Sequence, residues 1–397
     1  MKKIIPFSLF LLSPLFLTGC GNNEPDVITL QVGESLWGPD EFIQEAGRIF
    51  TERNPHIQIE FVNLEVGGAA GQILLDGPAG LAPDVFAAPH DQLGQLVTAG
   101  LVLPVYNSDY VLNHIAASSI TAVTFDGIIY GYPIAAETYA LFYNRNLISS
   151  SDVPSTFESL KPWVENFNQN SPADQFGFMF DVGSAYYTFL FTTNNGNRLF
   201  GPSGTDVNAI NMNTPNAVEG MYFFQSLRSI LDVPAGDMTT AIADAAFGSG
   251  NAAMHISGPW NIQPFIDMGV DFGITTLPAL PGQNTPPASF AGTRSMFVSA
   301  FTYHPEEAYK FAAFLVSDEM QALRFDITGA LPSSSTLPID SPHFAGFIAQ
   351  LEYAFPMPSI PEMAFYWSSM DAAAANIWNG AGVQEQLDMV HQAISGS

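Results

Sequence analysis

The stretch ITLQVGESLWGPDEFIQEAGRIFTERNPHIQIEF, residues 28–61, predicts the fold class. Apolar and polar residues alternate over 28–32, which is the period-two pattern of a β-strand. A helix is predicted next, because apolar residues recur at helical spacing over 40–54 and Asn54-Pro55 is a stop signal. Alternation returns over 57–61. A strand–helix–strand unit of this size predicts an open α/β sheet.

The same patterns predict the elements that follow along the chain. They are a third strand over 84–88, helices through most of 156–253 with a Gly/Asn-rich break at 194–197, a strand over 271–280, an amphipathic helix over 304–317 and more helix over 364–394. No repeat of 20–50 residues is present, which disfavours a solenoid. A chain of 397 residues predicts two domains, at about 100–200 residues each.

The N-terminus has the pattern of an export signal. Two lysines precede an almost wholly apolar run over 4–17, which is shorter than the ~20 residues that span a bilayer. The run ends in Leu-Thr-Gly-Cys (17–20), which matches a bacterial lipobox. We therefore predict a signal peptide over 1–19, lipid attachment at Cys20 and a polar tether over 20–26. An ordinary signal peptide with an incidental cysteine is the alternative.

The composition excludes several function classes. Asp and Glu number 38 against 11 Lys and Arg, a formal net charge of −27, and such a surface repels nucleic acid. The single cysteine precludes an internal disulfide, and none of the seven histidines makes a close metal-ligand pair. No cofactor, metal site or nucleic-acid partner is predicted. The acidic balance suits solubility, and a saline external medium is a further hypothesis.

Four blocks, in order along the chain, resemble those of one protein family. They are PDVF (83–86) with HDQ (90–92), YPIAAE (132–137) with LFYN (141–144), SGPW (257–260), and MPSIPEM (357–363) with Trp367. Together they make the chain similar to the family 1 extracellular solute-binding proteins of bacterial sugar ABC importers, and in particular to their maltodextrin-binding members. The resemblance covers nearly the whole mature chain.

The resemblance implies a two-lobed periplasmic-binding-protein fold of type II. Each lobe would be an open sheet flanked by helices, with the ligand cleft between the lobes. The implied N-terminal lobe covers 27–135 plus 290–340, and the C-terminal lobe covers 136–289 plus 341–397. Chain crossings are expected near 135–137, 287–294 and 333–342.

The implied function is that of a lipid-anchored binding component of a carbohydrate ABC importer. It would work outside the cytoplasm, in the periplasm or on the outer face of the cell. The implied ligand is a maltose- or maltodextrin-like di- or oligosaccharide, bound by hinge closure. The implied partners are the ABC permease and ATPase subunits, and the membrane through the anchor on Cys20.

Two residue types suit a sugar site, because sugar rings have hydroxyls on the rim and C–H patches on the faces. Carboxylates accept charge-assisted hydrogen bonds from hydroxyls, and flat aromatic rings cover the faces. By resemblance, Asp91 and Glu137 are the hydroxyl acceptors, and Trp260, Trp367 and Tyr186 the stacking rings. Alternatively, Asp91 caps a helix, Glu137 is a surface charge, the tryptophans are core residues, or Tyr187 replaces Tyr186.

The sequence also departs from the maltodextrin pattern. Where the maltodextrin-binding members have a stacking tryptophan, this chain has Ala88. Where they have an arginine beside the aspartate, it has Gln92, which stays a candidate ligand residue. Ser184 stands where those members have a glutamate, and Asp371 stands where they have an arginine near the end of the chain. Two further ligand candidates follow the first two strands. They are Trp37, in the loop where open α/β sheets bind ligands, and Glu65. Burial as a packing residue is the alternative for Trp37.

Other function classes stay open from the sequence. A secreted glycosidase would use Asp91 and Glu137 as acid and nucleophile, since paired carboxylates define such sites. A binding protein for a polyol or a peptide is a second alternative. Because the matched carboxylates are ligand acceptors in a family without catalysis, no catalytic residue is predicted.

Overall fold

The computed structural model describes residues 27–106, 108–338 and 341–396. The predicted signal peptide, Cys20 and the tether lie outside these residues. The strands are β1 Ile28–Glu34, β2 Ile57–Asn63, β3 Val85–Pro89, β4 Thr124–Phe125, β5 Ile128–Ile129, β6 Gly131–Glu137, β7 Ala140–Asn144, β8 Met254–Ser257, β9 Phe272–Thr275, β10 Phe290–Val298 and β11 Phe355–Pro356.

Helices make up much of the rest of the described chain. They are α1 Pro39–Arg53, α2 Ala69–Asp76, α3 Leu93–Thr98, α4 Ser108–His114, α5 Ala117–Ala122, α6 Phe157–Asn170, α7 Ala185–Thr192, α8 Pro215–Ser226, α9 Thr240–Gly248, α10 Ile262–Asp267, α11 Pro305–Leu315, α12 Asp318–Thr328, α13 Ala345–Leu351, α14 Met363–Trp378 and α15 Val383–Ser395.

The first lobe is built on the larger sheet. Strand β1 pairs in parallel with β2 and with β3, and β10 runs antiparallel between β3 and β6. Each face of this sheet has its own buried cluster. Leu30 and Phe42 belong to one cluster, which includes residues of α1, α11 and α12. Phe86 and Ile73 belong to the other, which includes residues of α2 and α3.

The second lobe is built on a smaller antiparallel sheet, in which β7 lies between β8 and β9. Its core is one large cluster rich in aromatic residues. Phe142 on β7 is fully buried and packs its ring edge to face against Phe247, Phe265 and Phe347, at centroid distances of 5.9, 5.6 and 5.7 Å. The two-lobed α/β architecture expected from the sequence is confirmed.

The three predicted strands before residue 90, the helix between the first two and the helix over 304–317 form within two residues of their expected bounds. The helix predicted through most of 156–253 is too extensive, because α6, α7, α8 and α9 are separated there by turns and loops. The break at 194–197 is confirmed, since Asn195 and Gly196 have φ values of 49° and 78°. The strand predicted over 271–280 is too long, because β9 ends at Thr275. Beyond it, the N–H of Leu277 donates to the Gln350 side chain, and the N–H of Ala279 donates to the carbonyl of Ser155, which lies in a loop. These donors are taken outside the sheet.

The charge balance predicts that salt stabilises the fold. With a formal net charge of −27, repulsion between carboxylates disfavours the compact state, and dissolved ions screen it. We expect the melting temperature to rise as NaCl increases from about 0.05 M to about 0.5 M. Over this range the Debye length decreases from above to below about 10 Å. Thermal denaturation followed by circular dichroism measures this. A melting temperature that falls or stays constant contradicts it.

Candidate functional site

A cavity of about 660 Å³ lies between the two lobes. The first lobe contributes residues that follow β2 and β3, and Glu137 lies at the end of β6. The second lobe contributes three segments, around Tyr186, Trp260 and Trp367. Carboxyl ends of parallel strands therefore meet one wall of the cleft, which is where open α/β sheets bind ligands.

Six of the eight predicted ligand residues line this cavity. They are Asp91, Gln92, Glu137, Tyr186, Trp260 and Trp367. These residues come from five distant parts of the chain, which the fold brings together at one cavity. Ser184 and Asp371, two of the departures from the maltodextrin pattern, also line the cavity.

The other two predicted residues do not line the cavity. The side chain of Trp37 is 92% exposed, which excludes the packing role considered for it. Its φ of 69° is a left-handed conformation that bulky residues rarely adopt. Glu65 is exposed and immediately precedes the turn Val66–Gly68, whose residues line the cavity. Ligand binding by Trp37 and Glu65 stays a prediction.

Asp91 lies in a 3-10 turn, His90–Gln92, directly after β3. Its side chain is buried, and its Oδ2 accepts a hydrogen bond of 2.8 Å from the indole N–H of Trp367 on the opposite lobe. Burial raises the pKa of Asp91 to about 6, partly offset by the indole N–H, and the charge of Glu137 raises it further. The helix cap considered for Asp91 is not formed, since no side-chain cap bond is present in this turn.

His90 fixes the turn that carries Asp91. The backbone N–H of Thr293 donates to Nδ1 at 3.0 Å, so the proton is on Nε2, which faces the carbonyl of Met357 at 2.8 Å. Burial lowers the pKa of His90 to about 4, which keeps the ring neutral at physiological pH. The ring thus joins the turn to β10 and to the segment before α14.

The aromatic residues of the second lobe share one wall of the cleft. Trp260 and Tyr186 are half-buried, with ring centroids 6.3 Å apart, and Trp367 packs on Phe290 at 5.5 Å. A Cβ atom at Gly258 would lie 2.1 Å from the Trp260 ring, so only glycine leaves room for the indole there. Tyr187 is buried and does not line the cavity, which leaves Tyr186 as the ring of the pair that does.

Gln92 lines the cavity, but its amide is already bonded within the first lobe. Its Oε1 accepts from the N–H of Ala70 at 2.8 Å, and its Nε2 donates to the carbonyls of Val66 and Gly67 at 2.9 and 3.0 Å. Both donors are therefore used before any ligand arrives. These bonds hold the loop before α2, and ligand binding by Gln92 stays a prediction.

The sequence reasoning missed two charged residues beside Glu137. Arg294 on β10 donates to the buried Glu34 at the end of β1, and its Nη1 lies 3.8 Å from Oε1 of Glu137. The sequence indicated them only in that Glu34 and Arg294 are each the one charged residue of their strand segment. The pairing itself, across 260 residues, leaves no local pattern.

The described residues contain no group of three or more His, Cys, Asp or Glu that could hold a metal ion. Among the same residues, no helix is both long enough and apolar enough to cross a membrane. The chemistry that the cleft offers is hydrogen bonding by carboxylates together with apolar contact by aromatic rings.

A cleft of this chemistry between two α/β lobes defines a solute-binding protein of the two-lobed class. The chain belongs to the bacterial extracellular solute-binding protein family, whose model matches residues 45–345.

Relatives of known name support this assignment. A galactooligosaccharide-binding protein from Bacillus subtilis is 30% identical over 100% of this chain and 97% of its own length. A maltooligosaccharide ABC transporter solute-binding lipoprotein from Streptococcus pneumoniae is 26% identical over 92% of this chain and 90% of its own. The Thermus thermophilus maltotriose binding protein, solved with maltotriose, superposes with a TM-score of 0.85 at 26% identity, covering 92% and 99% of the two chains.

Proposed function

We propose that this protein is the substrate-binding component of a carbohydrate ABC importer and that it binds a di- or oligosaccharide in the cleft. The observation that carries the proposal is the cavity itself, which has a volume of about 660 Å³ and is lined by three aromatic rings together with carboxylates. Small-molecule sites have volumes of about 300–1,000 Å³. Asp91 and Glu137 accept bonds from sugar hydroxyls, while Trp260, Trp367 and Tyr186 cover ring faces.

The sugar is of the malto- or galactooligosaccharide type, as in the names of the relatives. Titration with maltotriose and with a β-galactotriose, followed by tryptophan fluorescence and calorimetry, tests this. Fluorescence should change on binding because Trp260 and Trp367 line the cavity. Mass spectrometry of the ligand released from freshly purified protein identifies the natural sugar. A protein that binds neither trisaccharide and releases no sugar contradicts the proposal.

Binding proceeds by closure of the lobes, with the N-terminal lobe over 27–135 plus 290–340 and the C-terminal lobe over 136–289 plus 341–397. Two segments connect the larger sheet with the smaller: the passage from β6 to β7, and the first residues of β10. They support chain crossings between the lobes near 135–137 and 287–294. The closed, liganded form docks on the permease, whose ATPase subunits drive import. Small-angle scattering with and without sugar measures the closure.

The protein is exported and held at a membrane by lipid on Cys20. Support comes from the Leu-Thr-Gly-Cys motif and from the Streptococcus relative, which is named a lipoprotein. An anchor keeps a binding protein at high effective concentration near its permease. Expression of Cys20→Ser and of the unchanged chain in a bacterial host, followed by membrane fractionation, tests this. A Cys20→Ser protein that still fractionates with membranes contradicts lipid anchoring.

We propose that the cleft has no catalytic activity, as the names of the relatives are those of binding proteins. In a glycosidase, Asp91 and Glu137 would have to move protons or attack the sugar. Here Asp91 already accepts from Trp367, and Glu137 lies beside Arg294. Release of nitrophenol from nitrophenyl glycosides, abolished by Glu137→Gln, is the outcome that contradicts this proposal.

Acid should weaken sugar binding through Asp91. Its pKa of about 6 means that the carboxyl is protonated below that pH, and a neutral acceptor forms weaker hydrogen bonds than a carboxylate. We expect the affinity to fall about five- to tenfold between pH 7 and pH 5. Calorimetry across this range measures it. Asp91→Asn should have a flatter profile, and an equal fall in that variant contradicts the assignment.

Folding stability should respond to Asp91 in the opposite direction. Its folded-state pKa lies above the ordinary aspartate value of 3.8, so the stability that its protonation contributes is fully present below about pH 4. That contribution is lost as the pH rises through about 6. Loss of sugar affinity on mild acidification therefore does not come from unfolding at this residue.

A further inference from the structure

A cluster of four largely buried charges adjoins the cleft through Glu137, which lines the cavity. It consists of Glu34, Glu137, Arg294 and Arg324. Glu34 is 0% and Arg324 2% exposed, and the two negative charges balance the two positive ones. Unbalanced charges at such depth would be strongly unfavourable, so the four side chains form one electrostatic unit.

Arg294 occupies the centre of this cluster. On β10 it lies opposite Pro89 of β3, directly before the turn that carries Asp91. On its other side it lies opposite Ala135 of β6, two residues before Glu137. The arginine is therefore placed between the two strands that deliver the cleft's carboxylates.

The guanidinium of Arg294 is held firmly in one position. Its Nε donates to Oε2 of Glu34 at 3.1 Å, its Nη2 donates to Oε1 of the same carboxylate, and Nη2 also donates to Oγ of Ser35 at 3.0 Å. Glu34 in turn lies 3.6 Å from Nη1 of Arg324, whose guanidinium lies over the ring of Phe42. A fork-like pair of this kind fixes direction as well as charge.

The distance from Arg294 to Glu137 is distinctive. Nη1 lies 3.8 Å from Oε1, close enough for electrostatic attraction but too long for a hydrogen bond. Because Glu34 holds the guanidinium away, the oxygens of Glu137 stay free to accept other donors. Glu137 thus has a neighbouring positive charge without losing its acceptor sites.

We infer that Arg294, held by Glu34, is a positioning residue for ligand binding that acts through Glu137. The inference rests on the proposed sugar-binding function. The positive charge of Arg294 attracts the Glu137 carboxylate from 3.8 Å and so orients it toward the cleft, while the bonds to Glu34 keep the guanidinium too far away for a hydrogen bond to Glu137. Sugar hydroxyls then find an acceptor that is already oriented and whose oxygens are unoccupied.

A double-mutant cycle tests this inference. Affinity for the tighter-binding trisaccharide is measured by calorimetry in four proteins: the unchanged chain, Arg294→Met, Glu137→Gln and the double variant. We expect Arg294→Met to weaken binding at least about tenfold when Glu137 is present. In the Glu137→Gln background the same change should cost less than about threefold, because the acceptor that Arg294 serves is already neutral.

Two further variants complete the design. Arg145→Met removes an exposed arginine paired with Asp271 outside the cavity and should leave the affinity unchanged. Glu34→Gln releases Arg294 toward Glu137 and should weaken binding while both site residues remain. If Arg294→Met does not fold, the cycle is run with Glu34→Gln in its place.

Two outcomes overturn the inference. One is an unchanged affinity in Arg294→Met, and the other is an equal loss in both backgrounds, which indicates a general structural role. An unchanged chain that binds neither trisaccharide refutes the proposed function instead, so the two failures are distinguishable.

Discussion

Trp367→Ala should lower the affinity for the bound oligosaccharide by about 30-fold or more. Truncation of a central tryptophan costs at least about 2 kcal/mol at such sites. Two contributions are lost together here, the ring face on the cleft wall and the N–H that donates to Asp91 at 2.8 Å. Calorimetric titration measures the loss, with the fraction of folded protein checked by circular dichroism.

Two variants separate these contributions. Trp367→Phe keeps an aromatic face but removes the donor to Asp91, so its affinity should lie between those of the unchanged chain and Trp367→Ala. Trp163→Ala is the matched control, because that half-buried indole packs on Phe167 in α6 and does not line the cavity. An affinity in Trp367→Ala equal to that of the control contradicts a ligand role.

Trp378→Ala should reduce the free energy of unfolding by about 3–5 kcal/mol. This indole is 1% exposed in the core of the second lobe, where it contacts Phe224 at 5.2 Å and Phe180 at 6.5 Å. Its Nε1 donates to the carbonyl of Val233 at 2.7 Å, so truncation leaves both a cavity and an unpaired acceptor. Urea denaturation at constant pH and salt measures the change.

The contrast between the two tryptophans is the informative result. Folded Trp378→Ala protein should bind sugar with nearly unchanged affinity, because the residue does not line the cleft. Trp367 is half-buried at the cavity, so its removal should cost mainly affinity. A loss of less than about 1 kcal/mol in Trp378→Ala is incompatible with a close-packed core at that position.

Sequence reasoning found the parts of the site that have local signals. The strand–helix–strand unit over 28–61 follows from apolar spacing, and the observed elements match it. Trp260 and Trp367 were predicted as ligand residues because they lie in blocks that resemble those of the family, SGPW (257–260) and MPSIPEM (357–363) with Trp367. Both line the cavity, as do Asp91 and Glu137.

What sequence reasoning did not find depends on tertiary contacts. Gln92 lines the cavity as expected, but the hydrogen bonds of its amide to the loop before α2 could not be predicted from the sequence. The partnership of Glu34 with Arg294 requires the fold to bring two distant strands together. Trp37 lies in the expected loop but points to solvent, because neither spacing nor composition specifies side-chain direction in a loop.

Strand β10 has a consequence for how the protein unfolds. Its first residue, Phe290, stacks on Phe189 of the second lobe at 3.7 Å, while its last residue, Val298, lies in the core of the first. One continuous strand therefore belongs to the interior of both lobes, so the melting of one lobe should disrupt the other. Although the lobes are separate bodies in shape, we expect them to unfold in a single cooperative transition.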